Sequence, residues 1–163
     1  AFQQGQIDGA WLPEPWPSRM ILEGKGHVLV DERDLWPNGA FPTTLLIAST
    51  SLTQSRPDVV KGLLAAHVDA IDYLRANADD SKKVVNAALA EASGGKPLPA
   101  AVLDSAFNEM TFTNDPIPSA MTKVVGDAAA AGLLTATDIK GIFDLTALND
   151  VLKLRNEPVI QVP

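Results

Sequence analysis

The chain changes character at Pro57. Beyond it, Val60, Leu64, His67, Ile71 and Leu74 recur at spacings of three and four, while Lys61, Asp69 and Asp72 fall off that stripe. Such spacing lays the apolar positions on one face only if the segment is a helix. Ser55-Arg56-Pro57-Asp58 has the make-up of its start: a hydroxyl for the cap, a proline at an early helical position and an acid in the first turn. This helix is predicted to stop around 76–78. A second opens at Asp79-Asp80-Ser81, runs over 82–91 and ends at Ser93-Gly94-Gly95. A third spans 99–110. A fourth spans 119–131 and is ended by Gly132. Asp144-Leu145-Thr146 leads into a fifth through Leu148, Val151 and Leu152. The tail, 157–163, is expected to be extended and loosely placed on the surface. No repeat of fixed period is present.

Ahead of Pro57 the punctuation is denser. Gly26-His27-Val28-Leu29-Val30 follows the breaker Glu23-Gly24-Lys25-Gly26 and reads as a strand. Thr43-Thr44-Leu45-Leu46-Ile47-Ala48 reads as a second. Asp31 to Asp34 is a charged turn, and Leu35-Trp36-Pro37-Asn38-Gly39 is another, with Asn-Gly its strongest signal. Between Pro17 and Glu23 there is room for two helical turns, with Met20, Ile21 and Leu22 as apolar contacts.

Bulk properties exclude several functions. The 163 residues fit one domain with a real core. A net charge of -7 disfavours nucleic acid and anionic membrane surfaces as partners. There is no cysteine, hence no disulfide, thiolate metal site or thiol nucleophile. His27 and His67 have no partner at metal-ligand spacing, and His67 reads as a core-edge residue. Glycine-rich phosphate loops and nucleophile elbows are absent, and Pro97 makes Gly94-Gly95-Lys96-Pro97 a helix-to-helix turn. No apolar run reaches the ~18 residues of a membrane span. The opening Ala1-Phe2-Gln3-Gln4 lacks an initiator methionine, as expected of a processed chain or a piece of a longer one.

The stretch with the most chemical content is Trp11-Leu12-Pro13-Glu14-Pro15-Trp16, which holds two of the three tryptophans. Its prolines lack an N–H and fix φ, so the stretch is a rigid loop. It can cap a core with both indoles, or hold them as the wall of a ligand pocket. Glu14 can cap a helix beginning at Pro15, or receive an amine or hydroxyl of a ligand. Thr43 and Thr44, after Phe41-Pro42, can donate to an anion or satisfy backbone at a bend.

Residues 1–16, from Ala1-Phe2-Gln3-Gln4 through Ile7-Asp8-Gly9-Ala10 to Trp16, resemble the substrate-binding proteins of bacterial ABC importers for sulfonates, taurine and nitrate. Further matches keep that family's order: Val30-Asp31-Glu32-Arg33-Asp34-Leu35-Trp36-Pro37, Phe41-Pro42-Thr43-Thr44-Leu45-Leu46-Ile47, Arg56-Pro57-Asp58-Val59-Val60, Phe112-Thr113-Asn114-Asp115-Pro116 and Phe143-Asp144-Leu145-Thr146-Ala147-Leu148-Asn149. The resemblance covers essentially the whole chain, through the joint order of its segments rather than one decisive motif.

The resemblance implies an α/β fold of the periplasmic-binding-protein type (type II), with two lobes and a ligand cleft between them. This chain would be its C-terminal, mostly helical part. Residues 1–45 would end the second lobe, the crossover strand would lie near 41–49, and 50–163 would return to the first lobe. Trp11 and Glu14 would face the cleft and Thr43 would lie near the crossover. The implied activity is binding without turnover or cofactor. A small anionic solute would be passed to a membrane permease, in the periplasm or on a lipid anchor outside the cytoplasmic membrane. Alternative readings are a helical protein-interaction module and a thiamin-pyrimidine-synthase-like relative of the same fold. The latter's cysteine-rich iron-binding stretch has no counterpart in a chain without cysteine. A chain shorn of partner strands is further expected to expose apolar faces and self-associate.

Overall fold

The structure is a computed structural model that describes residues 1–135 and 137–161. Among the described residues there are seven α-helices and no strand. They are α1 (Trp16–Leu22), α2 (Thr50–Ser55), α3 (Pro57–Ala76), α4 (Ala78–Ser93), α5 (Ala100–Glu109), α6 (Pro118–Ala130) and α7 (Thr146–Leu154), with short 3-10 turns at Phe2–Gln4, Glu32–Leu35 and Pro37–Gly39. The helices from Pro57 onward therefore fall where the apolar spacing puts them.

The chain forms two compact units. The first comprises Ala1–Val30 and Asp72–Phe112; the second comprises Asp31–Ile71 and the chain from Thr113 onward. In the first unit α1 packs on α5, whose Val102, Leu103 and Ala106 are buried. Ser18 of α1, fully buried, donates its hydroxyl to Ser105 Oγ at 2.9 Å. The contacts foreseen for α1 are only partly right: Ile21 and Leu22 are exposed, because the face toward α5 carries the small Ser18. Such a residue lets helices approach closely. α4 also packs on α5. Lys82 Nζ reaches Asp104 Oδ1 at 2.7 Å, and Asn86 brackets the Leu98 backbone, donating to its carbonyl at 2.9 Å and accepting from its N–H at 2.8 Å.

In the second unit the α3 stripe meets α7. Val68, Leu148, Val151 and Leu152 form the core, with Leu64, Ala65, Leu145 and Ile160 against it. Arg155 Nη2 donates to the Ala65 carbonyl at 3.1 Å and pairs with Asp69. Asn149 brackets Ile160 as Asn86 brackets Leu98, at 2.9 and 2.8 Å. His67 is half-buried at the edge of the stripe, as its position predicts.

Neither predicted strand forms. Over 26–30, the Gly26 N–H turns back to the Met20 carbonyl at 2.9 Å, beside the Gly24 N–H at 3.1 Å, and both serve to end α1. Gly24 is needed there, because a Cβ would stand 2.8 Å from the Met20 carbonyl oxygen. Leu29 and Val30 then bend. Over 43–48 no hydrogen bond among the described residues engages the backbone, and a lone strand has nothing to pair with. β-propensity alone does not close a ladder.

Two smaller expectations also change. Ser55 does not cap α3; it is the last residue of α2 and donates its hydroxyl to the Ser51 carbonyl at 2.7 Å. Asp58 does sit in the first turn of α3, paired with Arg56 at 3.1 Å. The tail lacks regular structure as expected, but it is not loose. The Glu157 N–H donates to the Leu152 carbonyl at 2.9 Å and Ile160 packs on the core. Val162 and Pro163 lie outside the described residues.

Candidate functional site

In the first unit, Pro13 and Pro15 bring the chain into α1 through a tight turn, with the Trp16 N–H on the Pro13 carbonyl at 3.2 Å. The Glu14–Pro15 peptide is cis. Glu14 is half-buried and its Oε2 accepts from the Ser18 N–H at 3.3 Å. The carboxylate thus satisfies one of the N–H groups that a helix leaves open at its start. This is the capping geometry the sequence allowed for.

The two indoles of this loop have different surroundings. Trp16 lies under the Arg19 guanidinium, 5.5 Å from ring centroid to Cζ, and Arg19 in turn pairs with Glu23 at 3.0 Å. The spacing of three residues from Trp16 to Arg19 was the available signal for this contact. Trp11 is 66% exposed. Trp16 is 49% exposed, so neither ring is fully buried.

In the second unit, Trp36 stacks on Phe41 with centroids 4.5 Å apart, and the Lys123 ammonium sits 5.1 Å from the Trp36 ring. Trp36 also donates its indole N–H to Glu32. This stack fixes the turn just ahead of Thr43, which is exposed at a bend. Asp31 accepts from the Arg33 N–H at 2.9 Å and from its guanidinium at 2.6 Å. The guanidinium holds the Asp31 carboxyl down at about 2. Asp144 is likewise lowered, because its carboxylate accepts from Thr146 at the head of α7.

Each unit has an open hollow. That of the first, about 380 Å³, lies beside Lys82, Asn86 and Asp104. That of the second, about 460 Å³, lies at the head of α6 beside Asn38, Asp115, Ile117 and Ser119. Trp11, Glu14 and Thr43 line neither. Among the described residues no cluster of His, Asp or Glu is placed to hold a metal ion, and no helix is long and apolar enough to cross a membrane.

A family model described as the NMT1-like family matches residues 1–91, which takes in the Trp11–Trp16 loop, the Trp36–Phe41 stack and Thr43. The chain belongs to the NMT1-like family. That family comprises nitrate-, sulfonate- and taurine-binding ABC substrate-binding proteins, generally without enzymatic activity. No curated protein and no solved structure matches the chain. The exposed Trp11 stands in the part of the chain that the NMT1-like family model matches.

Proposed function

We propose that this chain is the solute-binding part of an ABC importer. In this reading it takes a small anionic solute, an aliphatic sulfonate such as taurine or else nitrate, into a cleft between two lobes of the whole protein. The closed form is then presented to a membrane permease, with the protein in the periplasm or lipid-anchored outside the cytoplasmic membrane. Residues 1–45 complete the second lobe, the chain crosses near 41–49, and 50–163 return to the first, so that the chain is the C-terminal part of the protein. The family match over residues 1–91 supports this reading.

The observation that carries it is Trp11, an indole 66% exposed on a loop stiffened by Pro13 and Pro15. A flat apolar surface held in place before the ligand arrives loses little conformational entropy on binding. It suits the alkyl part of a sulfonate better than a bare inorganic ion. Glu14 accepts from Ser18 through Oε2, and Oε1 takes the ammonium of an amino-sulfonate. Thr43 offers a hydroxyl to an anionic head. Lobe closure follows the solute's preference for the closed state and goes no further than that preference allows.

Tryptophan fluorescence of the intact protein, titrated with taurine, alkanesulfonates and nitrate, tests the reading. A saturable change is expected, abolished by Trp11→Phe and kept by Trp16→Phe and Trp36→Phe. No response to any of these solutes sinks the solute class.

A further inference from the structure

The loop that presents Trp11 is fixed on its far side by Glu14 and the turn through Pro13 and Pro15. On its near side stands Phe2. Residues 2–4 form one 3-10 turn, with the Gly5 N–H on the Phe2 carbonyl at 3.0 Å and the Gln6 N–H on the Ala1 carbonyl at 3.0 Å. That turn sets the half-buried Phe2 ring against the chain just beyond α1. A Cβ at Gly24 would stand 3.1 Å from Phe2 Cδ1 and 3.2 Å from Cε1, and one at Gly26 would stand 3.3 Å from Cε1. The ring edge therefore lies on bare backbone, in a seat that side chains at those two positions would crowd. Between the two fixed points, Ile7 to Ala10 are exposed and hold no backbone hydrogen bond among the described residues. Glu14 is at the head of α1 and Phe2 at its end, and a helix of 7 residues is only roughly 10 Å long. Residues 2–16 thus form a surface loop whose ends are held close together by one short helix.

We infer that Phe2 is a positioning residue for solute binding: its ring, seated on Gly24 and Gly26, holds the loop so that Trp11 meets the solute already ordered. Fixing the near end shortens the stretch of chain left to be ordered, and ordering a mobile loop is a cost that binding must otherwise meet. What Trp11 does for the solute rests on the reading proposed above; what holds Trp11 rests on the Phe2 contact alone.

Time-resolved fluorescence anisotropy of the full chain tests the hold without any solute. With Trp16→Phe and Trp36→Phe in place, Trp11 is the sole indole. Phe2→Ala is expected to add a fast, nanosecond loss of Trp11 anisotropy, and Phe2→Tyr, which keeps the ring, is expected to behave as the parent. With Trp11→Phe and Trp36→Phe instead, Trp16 at the head of α1 is expected to keep its anisotropy in Phe2→Ala. Unchanged Trp11 anisotropy overturns the proposal. Equal loosening of both indoles does so too, because Phe2 would then only stabilise α1, as does a Phe2→Tyr protein as mobile as Phe2→Ala. In the Trp11-only protein, taurine binding is expected to weaken roughly threefold to tenfold in Phe2→Ala and to be kept in Phe2→Tyr. Unaltered affinity beside a mobile Trp11 overturns the positioning role. A parent protein that responds to neither taurine, alkanesulfonates nor nitrate sinks the solute reading and the binding role with it, while the anisotropy separately decides whether Phe2 holds Trp11.

Discussion

At the scale of single residues, the charged groups act locally. Asp31 and Arg33 form a bidentate pair two residues apart, and the guanidinium holds the carboxyl at about 2 instead of the usual 3.8. The sign follows from the direction. A carboxyl whose folded-state value is lowered contributes its stability above the unfolded-state value and loses it as pH falls through the folded one. The turn at Glu32–Leu35 is therefore expected to loosen only on approach to pH 2. In an NMR titration the Asp31 carboxyl carbon should turn near 2, and in Arg33→Ala the midpoint should move back toward 3.8. A midpoint that ignores the substitution would assign the shift elsewhere. The same scale explains what could and could not be read of the candidate site. The rigidity of the loop at Trp11 followed from Pro13 and Pro15, and the helix-capping option for Glu14 from its place before α1. That Trp11 stays exposed while Trp16 goes under Arg19 depends on rotamers, which spacing does not fix.

At the scale of elements, helices were legible and strands were not, for one reason. A helix satisfies its backbone within itself, so the stripe from Val60 to Leu74 is enough to foretell α3. A strand is completed by another segment, and Gly26 to Val30 has none. Val68, at the centre of the core, lies on the same face, four residues after Leu64 and three before Ile71, and the choice of His67 for the stripe passed over it. The two asparagine brackets were also beyond a sequence reading, since each joins residues more than a helical turn apart. Asn149 replaces, with one side chain, the pair of bonds that a neighbouring strand would give Ile160. Asn149→Ala leaves both groups of a partly buried backbone unit unpaired, at a cost of about 1–3 kcal/mol. Urea denaturation followed by circular dichroism measures it, and a loss under ~0.5 kcal/mol would mean that water replaces the amide at no cost.

At the scale of the molecule, apolar surface and net charge oppose each other. Exposed aliphatic side chains such as Leu29, Ile47, Leu133 and Leu154 favour association. The net charge of -7 near neutrality resists it. That resistance vanishes as pH nears the isoelectric point of about 4.7. Turbidity is expected to rise steeply toward that pH and to fall again below it. A profile without a maximum there would show that charge does not limit association.

The straight run 44–48 has a consequence for the life of the chain. Proteases take their substrates as extended strands, bonding to the same N–H and C=O groups that this run leaves open. A segment shaped to accept a strand is thus also shaped for cleavage beside Leu45 and Leu46. Whatever strand covers it, pairing and protection from cleavage are the same event.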